Sequence, residues 1–260
     1  MAKRGYLYAL LSLTLLMLGG CVSQTLDSSG NPVAEKKFDP ETAAKSRVQL
    51  GLAYLRNGKN MQAKMNLLKA KEFAPDMPDV YYSLGYYYQT VGETKEAEKA
   101  YRHAISLDHE NGEALNNFGA FLCGIGHYKE SIEYFMRAIQ APDYLRVAGA
   151  YENAAICAKE MGDTDAAEQY YASALSHEPR RARSLVGMAQ LLYNKKDYIN
   201  AKGYLKRYEL LGRSNPEALL LGVKIAKKMG DKVAVQRYGE ELISKYPDSP
   251  SAKQYRSNKY

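Results

Sequence analysis

The three cysteines are the residues of this 260-residue chain whose side chains offer the most varied covalent chemistry. A thiolate can form a disulfide, take up an acyl group or bind a metal. Cys21 directly follows Leu18-Gly19-Gly20 at the end of an apolar run, whereas Cys123 and Cys157 lie in the middle of the chain. Small residues before a cysteine fit the narrow pocket of a processing enzyme, so Cys21 is a candidate for cleavage and modification.

Other constellations that support catalysis or cofactor binding are missing from the sequence. The four histidines, His103, His109, His127 and His177, are scattered, and none has a metal-binding partner at helical spacing. Gly124-Ile125-Gly126 has no preceding strand and no Gly-Lys-Ser/Thr ending, which a phosphate-binding loop requires. We therefore predict a protein that is not an enzyme and needs no cofactor or metal.

The net charge of +7 is a mild basic excess, and it predicts an ordinary basic surface without nucleic-acid binding. Two basic clusters stand out. Arg180, Arg181 and Arg183 form the first, and Lys224, Lys227 and Lys228 form the second. A solvated rim explains both clusters; contact with anionic headgroups or an acidic partner is the alternative.

Residues 1–20 have the features of a targeting segment. Lys3 and Arg4 give it a positive start, and the apolar run Tyr6–Leu18, with 13 residues, is too short for an ordinary membrane span. Together with the Leu-Gly-Gly-Cys ending, this segment resembles a bacterial lipobox. The resemblance implies cleavage before Cys21 and lipid, including palmitate, on that residue. An ordinary signal peptide with an incidental cysteine is the alternative.

The mature chain is then expected to be fixed to a membrane by its lipid. In bacterial lipoproteins an Asp after the lipidated cysteine marks retention in the inner membrane, and this chain has Val22 there. We therefore expect the periplasmic face of the outer membrane. Residues 21–38 are polar and turn-rich, which predicts a tether with a reach of about 25 Å. Asp39-Pro40 marks the start of the helical part.

A 34-residue period organises the rest of the chain. Three columns keep this step: Gly51, Gly85 and Gly119; Ala63, Ala97 and Ser131; Leu67, Tyr101 and Phe135. The sequence resembles the tetratricopeptide repeat family, in which each repeat is a pair of helices. In the second repeat the matching residues are Tyr81, Leu84, Gly85, Tyr88, Ala97, Tyr101 and Ala104.

The resemblance implies an all-α fold, a right-handed superhelix or α-solenoid of about six repeats. We place the repeats within residues 39–248, at 44–77, 78–111, 112–145, 148–181, 182–214 and 215–248. Residues 249–260 are predicted to be a tail or a capping helix. The second repeat has His109 where proline is usual, and the third has Ser131 where alanine is usual.

Cys123 and Cys157 both fall on the first helices of neighbouring repeats, the third and the fourth. Such helices pack side by side, so a disulfide between these cysteines is geometrically possible. An exported protein reaches an oxidising compartment, which permits the bond. Two buried free thiols are the alternative, because cysteine is also a good small core residue.

The concave surface of such a superhelix is where a partner is expected to bind. Positions that point inward in this family present an apolar, aromatic groove in the first two repeats and a more polar middle, which includes Glu152 and Lys159. Apolar residues outside a core indicate a peptide or helix site. Coverage by the N-terminal tether or by the first helix is the alternative. The candidate groove residues are Val48, Leu52, Leu55, Tyr82, Tyr86, Gln89 and Asn116.

Two segments resemble a more specific family among the repeat proteins. Asn116-Asn117-Phe118-Gly119-Ala120-Phe121-Leu122-Cys123 is similar to a signature of the type IV pilus biogenesis and stability lipoproteins, the PilW/PilF family. Asn153-Ala154-Ala155-Ile156-Cys157 resembles that family's second signature, with Ala155 where glycine is common. The resemblance implies a pilotin, which helps the pilus secretin reach the outer membrane and assemble there. Paired cysteines recur in the family's pattern, which favours the disulfide.

The sequence therefore leads to the hypothesis of an outer-membrane pilotin that binds a secretin subunit through the repeat groove and is monomeric outside that complex. A tetratricopeptide scaffold of another envelope machine, for cell-wall synthesis or outer-membrane protein assembly, is the alternative.

Overall fold

The computed structural model describes residues 38–258, and within them it contains thirteen α-helices and no β-strand. The targeting segment, Cys21 and all of the predicted tether except Phe38 lie outside these residues. The helices are α1 (Pro40–Arg56), α2 (Asn60–Phe73), α3 (Pro78–Thr90), α4 (Thr94–Leu107), α5 (Gly112–Gly124), α6 (Tyr128–Gln140), α7 (Val147–Met161), α8 (Thr164–His177), α9 (Ala182–Asn194), α10 (Tyr198–Glu209), α11 (Pro216–Lys228), α12 (Lys232–Lys245) and α13 (Pro250–Arg256).

Helices α1 to α12 pair in chain order into six hairpins, which we number 1 to 6. The first helix of each later hairpin contacts both helices of the hairpin before it. Each hairpin therefore buries its apolar face against its chain neighbours, as in a solenoid. The predicted all-α solenoid is confirmed. None of the helices in residues 38–258 combines the length and the apolar character that crossing a bilayer requires.

A glycine on the first helix of a hairpin lets an aromatic ring of the second helix approach closely. A Cβ atom on Gly85 would lie 2.8 Å from Cδ1 of Tyr101, and one on Gly119 would lie 2.8 Å from Cε1 of Phe135. Both rings are buried, with Tyr101 0% and Phe135 1% exposed. The glycine and aromatic columns of the 34-residue period are therefore the two sides of one packing contact.

The two departures from the usual repeat pattern have local explanations. The hydroxyl of Ser131, which is buried, donates to the carbonyl oxygen of Gly119 at 2.7 Å. At His109, α4 has already ended and the Asp108 side chain accepts from the backbone N–H of Glu110 at 3.0 Å. Asn111 then caps α5. Neither departure leaves a buried polar group without a partner.

Helix α13 follows the sixth hairpin and contacts both α11 and α12. Its Tyr255 lies against Gly239 of α12, again with a separation of 16 residues between glycine and aromatic ring. Ser249 caps this helix by accepting from the backbone N–H of Ala252 at 3.1 Å. The last helix therefore covers the exposed end of hairpin 6.

Candidate partner-binding surfaces and the cysteine bridge

The structure removes two residues from the predicted groove. Val48 and Leu55 are 7% and 5% exposed and belong to the buried cluster of the first hairpins. Together with Ala44 and Gly51 they form one stripe at 4, 3 and 4 residue steps, which is the face that α1 buries. Their prediction as groove residues was wrong, because they share a helix face with the packing glycine.

Three of the apolar candidates remain accessible, and we call Leu52, Tyr82 and Tyr86 the N-terminal groove. Leu52 and Tyr82 are half-buried against the core cluster, and Tyr86 is 43% exposed. The Tyr82 hydroxyl donates to Oδ1 of Asp79 at 3.0 Å. Burial and this carboxylate raise the pKa of Tyr82, so its hydroxyl stays protonated. The groove thus offers aromatic surface with one hydroxyl, that of Tyr82, held in position.

The two polar candidates are engaged with neighbouring helices. Oε1 of Gln89, an exposed residue, accepts from the hydroxyl of Tyr101 at 3.0 Å. Asn116 is half-buried, and its Oδ1 accepts from Nδ2 of Asn153 at 3.1 Å. Asn116 therefore ties α5 to α7. These contacts indicate that both amides hold the wall of the groove in place.

A second apolar surface, not predicted from the sequence, lies on helix α2 of hairpin 1. Met61, Met65 and Leu68 of α2 are 69%, 64% and 38% exposed. We call them the outer stripe, because they alternate with the buried residues Ala63, Leu67 and Ala70. The corresponding residues of α4, which follow 34 positions later, are Lys95, Lys99 and Arg102. Hairpin 2 therefore presents basic residues where hairpin 1 presents the outer stripe.

Glu152, predicted to face the polar middle of the groove, is only 3% exposed. Its Oε1 accepts from Nη2 of Arg181 at 3.1 Å, and its Oε2 accepts from the Ser184 hydroxyl at 2.7 Å. Arg181 also pairs with the exposed Glu178 at 2.9 Å. This buried carboxylate therefore joins hairpins 4 and 5 and is not accessible to a partner.

Cys123 of α5 and Cys157 of α7 are joined by a disulfide, with their Cα atoms 5.7 Å apart. Cys157 is fully buried, and its sulfur lies 3.3 Å from Oγ of Ser131. The bridge links the first helices of hairpins 3 and 4. The serine that replaces the usual alanine thus lies between a backbone carbonyl and the bridge, where a larger side chain would not fit.

Two of the histidines, and one glycine of the Gly124-Ile125-Gly126 segment, have structural roles. His103 packs edge-on against Tyr81 with ring centroids 4.2 Å apart, and His177 stacks on Tyr151 at 5.7 Å. Gly126 follows Ile125, the C-cap residue of α5, and its φ of 86° lies in the left-handed region that favours glycine after a helix. No group of three or more potential metal ligands occurs within residues 38–258.

Comparisons with known proteins agree with this architecture. The tetratricopeptide repeat model matches residues 78–111 and 148–180, which correspond to hairpins 2 and 4. The chain is 32% identical to the type IV pilus assembly protein PilF of Pseudomonas aeruginosa over 251 residues, which cover 96% of this chain and 98% of that protein.

Two solved structures are similar in fold and in sequence. The first comes from a functional characterisation of P. aeruginosa PilF; it has a TM-score of 0.74 and 31% identity, and the match covers 84% of this chain and 99% of that one. The second is PilW, described as a widely conserved type IV pilus biogenesis factor; it has a TM-score of 0.74 and 27% identity over 81% of this chain and 97% of that one. The chain belongs to the PilF/PilW family of tetratricopeptide-repeat proteins of type IV pilus biogenesis.

Proposed function

We propose that this chain is an outer-membrane lipoprotein that acts as the pilotin of the type IV pilus secretin. The observation that carries the proposal is the similarity to PilF along almost the whole length of both chains. The lipobox-like segment before Cys21 supports the membrane anchor, and Val22 favours the outer membrane. Lipid and repeat surface would then act as two linked attachments, so that a bound secretin subunit is carried to the membrane.

The N-terminal groove is the proposed contact with the secretin subunit. Leu52, Tyr82 and Tyr86 combine apolar surface with a rigid backbone, and aromatic residues contribute strongly where they become desolvated in an interface. A helix or an extended segment of the secretin fits such a groove.

The lipid step is tested with Cys21→Ser in a strain that lacks the wild-type protein. We expect the variant to retain secretin binding in a pull-down, while secretin multimers disappear from the outer-membrane fraction. Normal multimer levels in that fraction would refute the pilotin mechanism. A pull-down that recovers cell-wall enzymes or outer-membrane assembly factors, with no secretin, would favour the alternative scaffold function.

The binding surface is tested by comparing two exposed-residue variants. Tyr86→Ser removes aromatic surface from the N-terminal groove, whereas Met65→Ser removes apolar surface from the outer stripe of the same region. We expect Tyr86→Ser to reduce secretin assembly with an unchanged melting temperature, and Met65→Ser to have no effect. The reverse result would move the contact to the outer stripe.

A further inference from the structure

A second recess lies over hairpins 4 to 6, away from the N-terminal groove. Its volume is about 520 Å³, within the range of pockets that hold ligands. Ile156 and Val186 give it a half-buried apolar floor. Lys159, Arg183 and Arg213 line the same recess. We call this recess the basic groove.

The cations of the basic groove are poorly neutralised by the protein itself. Arg183 and Arg213 form no ion pair with any residue of the described part of the chain, residues 38–258. Among residues 38–258, Lys159 pairs with its neighbour Glu160 at 3.1 Å and with no other acidic residue. Glu217 is the one acidic residue among those that line the groove. The charge balance therefore favours an anionic ligand.

The burial of Glu152 contributes to the excess of positive charge in the basic groove. Its carboxylate is taken up by Arg181 and Ser184, so it does not neutralise the arginines of the groove. The acidic residues Asp165 and Glu168 of hairpin 4 are likewise paired with Lys195, at 2.6 and 2.7 Å. These three acids are therefore paired with residues outside the groove lining, whereas Glu160 of the same hairpin pairs with Lys159.

Neutral hydrogen-bonding groups in the groove add donors. The hydroxyl of Tyr171 is one, because burial raises the pKa of Tyr171 to about 12 and keeps the proton on the oxygen. The side-chain amide of Gln190 is another; one of its two N–H groups already donates to Oδ1 of Asn194 at 2.9 Å, which leaves the second for a ligand. A ligand that matches this lining carries carboxylates for the arginines, carbonyl oxygens for the neutral donors and at least one apolar side chain for the floor.

We infer that the basic groove binds an extended, acidic peptide segment of a partner protein, with its carboxylates on Arg183 and Arg213 and an apolar side chain over Ile156 and Val186. An extended peptide supplies all three kinds of group at once. A bilayer surface does not, because it is flat and the apolar floor of the groove is recessed between helices. The inference is independent of the proposed pilotin role, since a different surface carries it.

The test uses two fluorescein-labelled ten-residue peptides, one of alternating Leu and Glu and one of alternating Leu and Gln. Binding to the full-length chain in neutral detergent is followed by fluorescence anisotropy. We expect the Glu peptide to bind and the Gln peptide to bind at least tenfold more weakly. The Glu peptide should also lose affinity as salt is raised from about 50 to 500 mM, because exposed charges are screened.

The double variant Arg183→Gln/Arg213→Gln should bind the Glu peptide at least tenfold more weakly, since each charge-assisted hydrogen bond contributes about a factor of ten. Lys64→Gln/Lys69→Gln, which removes the same charge from hairpin 1, is the matched control and should bind as wild type does. A circular dichroism melt verifies that both variants fold.

Equal binding of the two peptides, unchanged binding by the arginine variant, or no binding of either peptide would overturn the inference. A last experiment measures binding of the chain to vesicles of anionic phosphatidylglycerol. If the chain binds these vesicles through Arg183 and Arg213 but does not bind the Glu peptide, the ligand of the basic groove is a lipid headgroup and the inference is wrong.

Discussion

The close approach of the two helices in hairpin 2 can be tested with a single methyl group. In Gly85→Ala the new Cβ would lie 2.8 Å from Cδ1 of Tyr101 and 2.9 Å from Cε1 and Cγ. The ring cannot move aside easily, because it packs against Phe118 and Phe121 with centroid distances of 5.8 and 5.6 Å. Overpacking of this kind costs about 1–3 kcal/mol.

Alanine also favours the helix over glycine by about 1 kcal/mol, so the clash must be separated from the propensity. Gly203→Ala in α10 is the matched control, because nothing lies within 4 Å of its Cβ position. We expect Gly203→Ala to raise the free energy of unfolding by about 1 kcal/mol. Gly85→Ala should leave it unchanged or lower it by up to about 2 kcal/mol.

Urea and thermal unfolding followed by circular dichroism measure both variants, and 1 kcal/mol corresponds to about 2–4 °C for a chain of this size. In a Tyr101→Ala background the cost of Gly85→Ala should vanish, since the ring atoms that it meets are gone. Equal stabilisation by the two glycine substitutions in the wild-type background would refute the packing argument.

Three further predictions concern other parts of the fold. Glu152→Ala should lower the free energy of unfolding in urea by about 3 kcal/mol, because it leaves Arg181 partly buried without its main partner; a change below about 1 kcal/mol would mean that water replaces the carboxylate. Removing the disulfide with Cys123→Ala/Cys157→Ala should cost about 3–4 kcal/mol for a loop of 34 residues. The unreduced wild-type chain should show no reactive thiol at either position under denaturing conditions, and labelling of both would contradict the bridge. Burial raises the pKa of Tyr171 to about 12 in the folded chain, against about 10 when unfolded. The contribution of this hydroxyl to stability is therefore complete below pH 10 and is lost as the pH rises towards 12. In Tyr171→Phe the free energy of unfolding should fall less steeply with pH between 10 and 12 than it does in the wild type. An equal slope in both proteins would show that this hydroxyl ionises freely.

The packing of the hairpins was predictable because it repeats. Gly85 and Tyr101 recur with their counterparts at 34-residue intervals, and the contact between them has the same geometry in hairpin 3. Periodicity therefore encodes the residues that face a neighbour, and the fold class follows from it.

The surfaces were less predictable, because exposure depends on what the neighbouring helices leave uncovered. Val48 and Leu55 occupy positions that face inward in the family, yet α1 buries them in the same stripe as Gly51. Glu152 is buried because Arg181 approaches it from 29 residues further along the chain. No local sequence pattern around Glu152 indicates this pairing, so the sequence alone does not predict that Glu152 is buried.

Helix α13 acts as a cap on the last hairpin. It touches both helices of hairpin 6, as the first helix of a seventh repeat would, and its Tyr255 occupies the space beside Gly239. Without α13 the end of hairpin 6 would be exposed to solvent, and the space beside Gly239 would be empty. A variant truncated before Pro250 is therefore expected to fray from hairpin 6 and to be less soluble than the full chain.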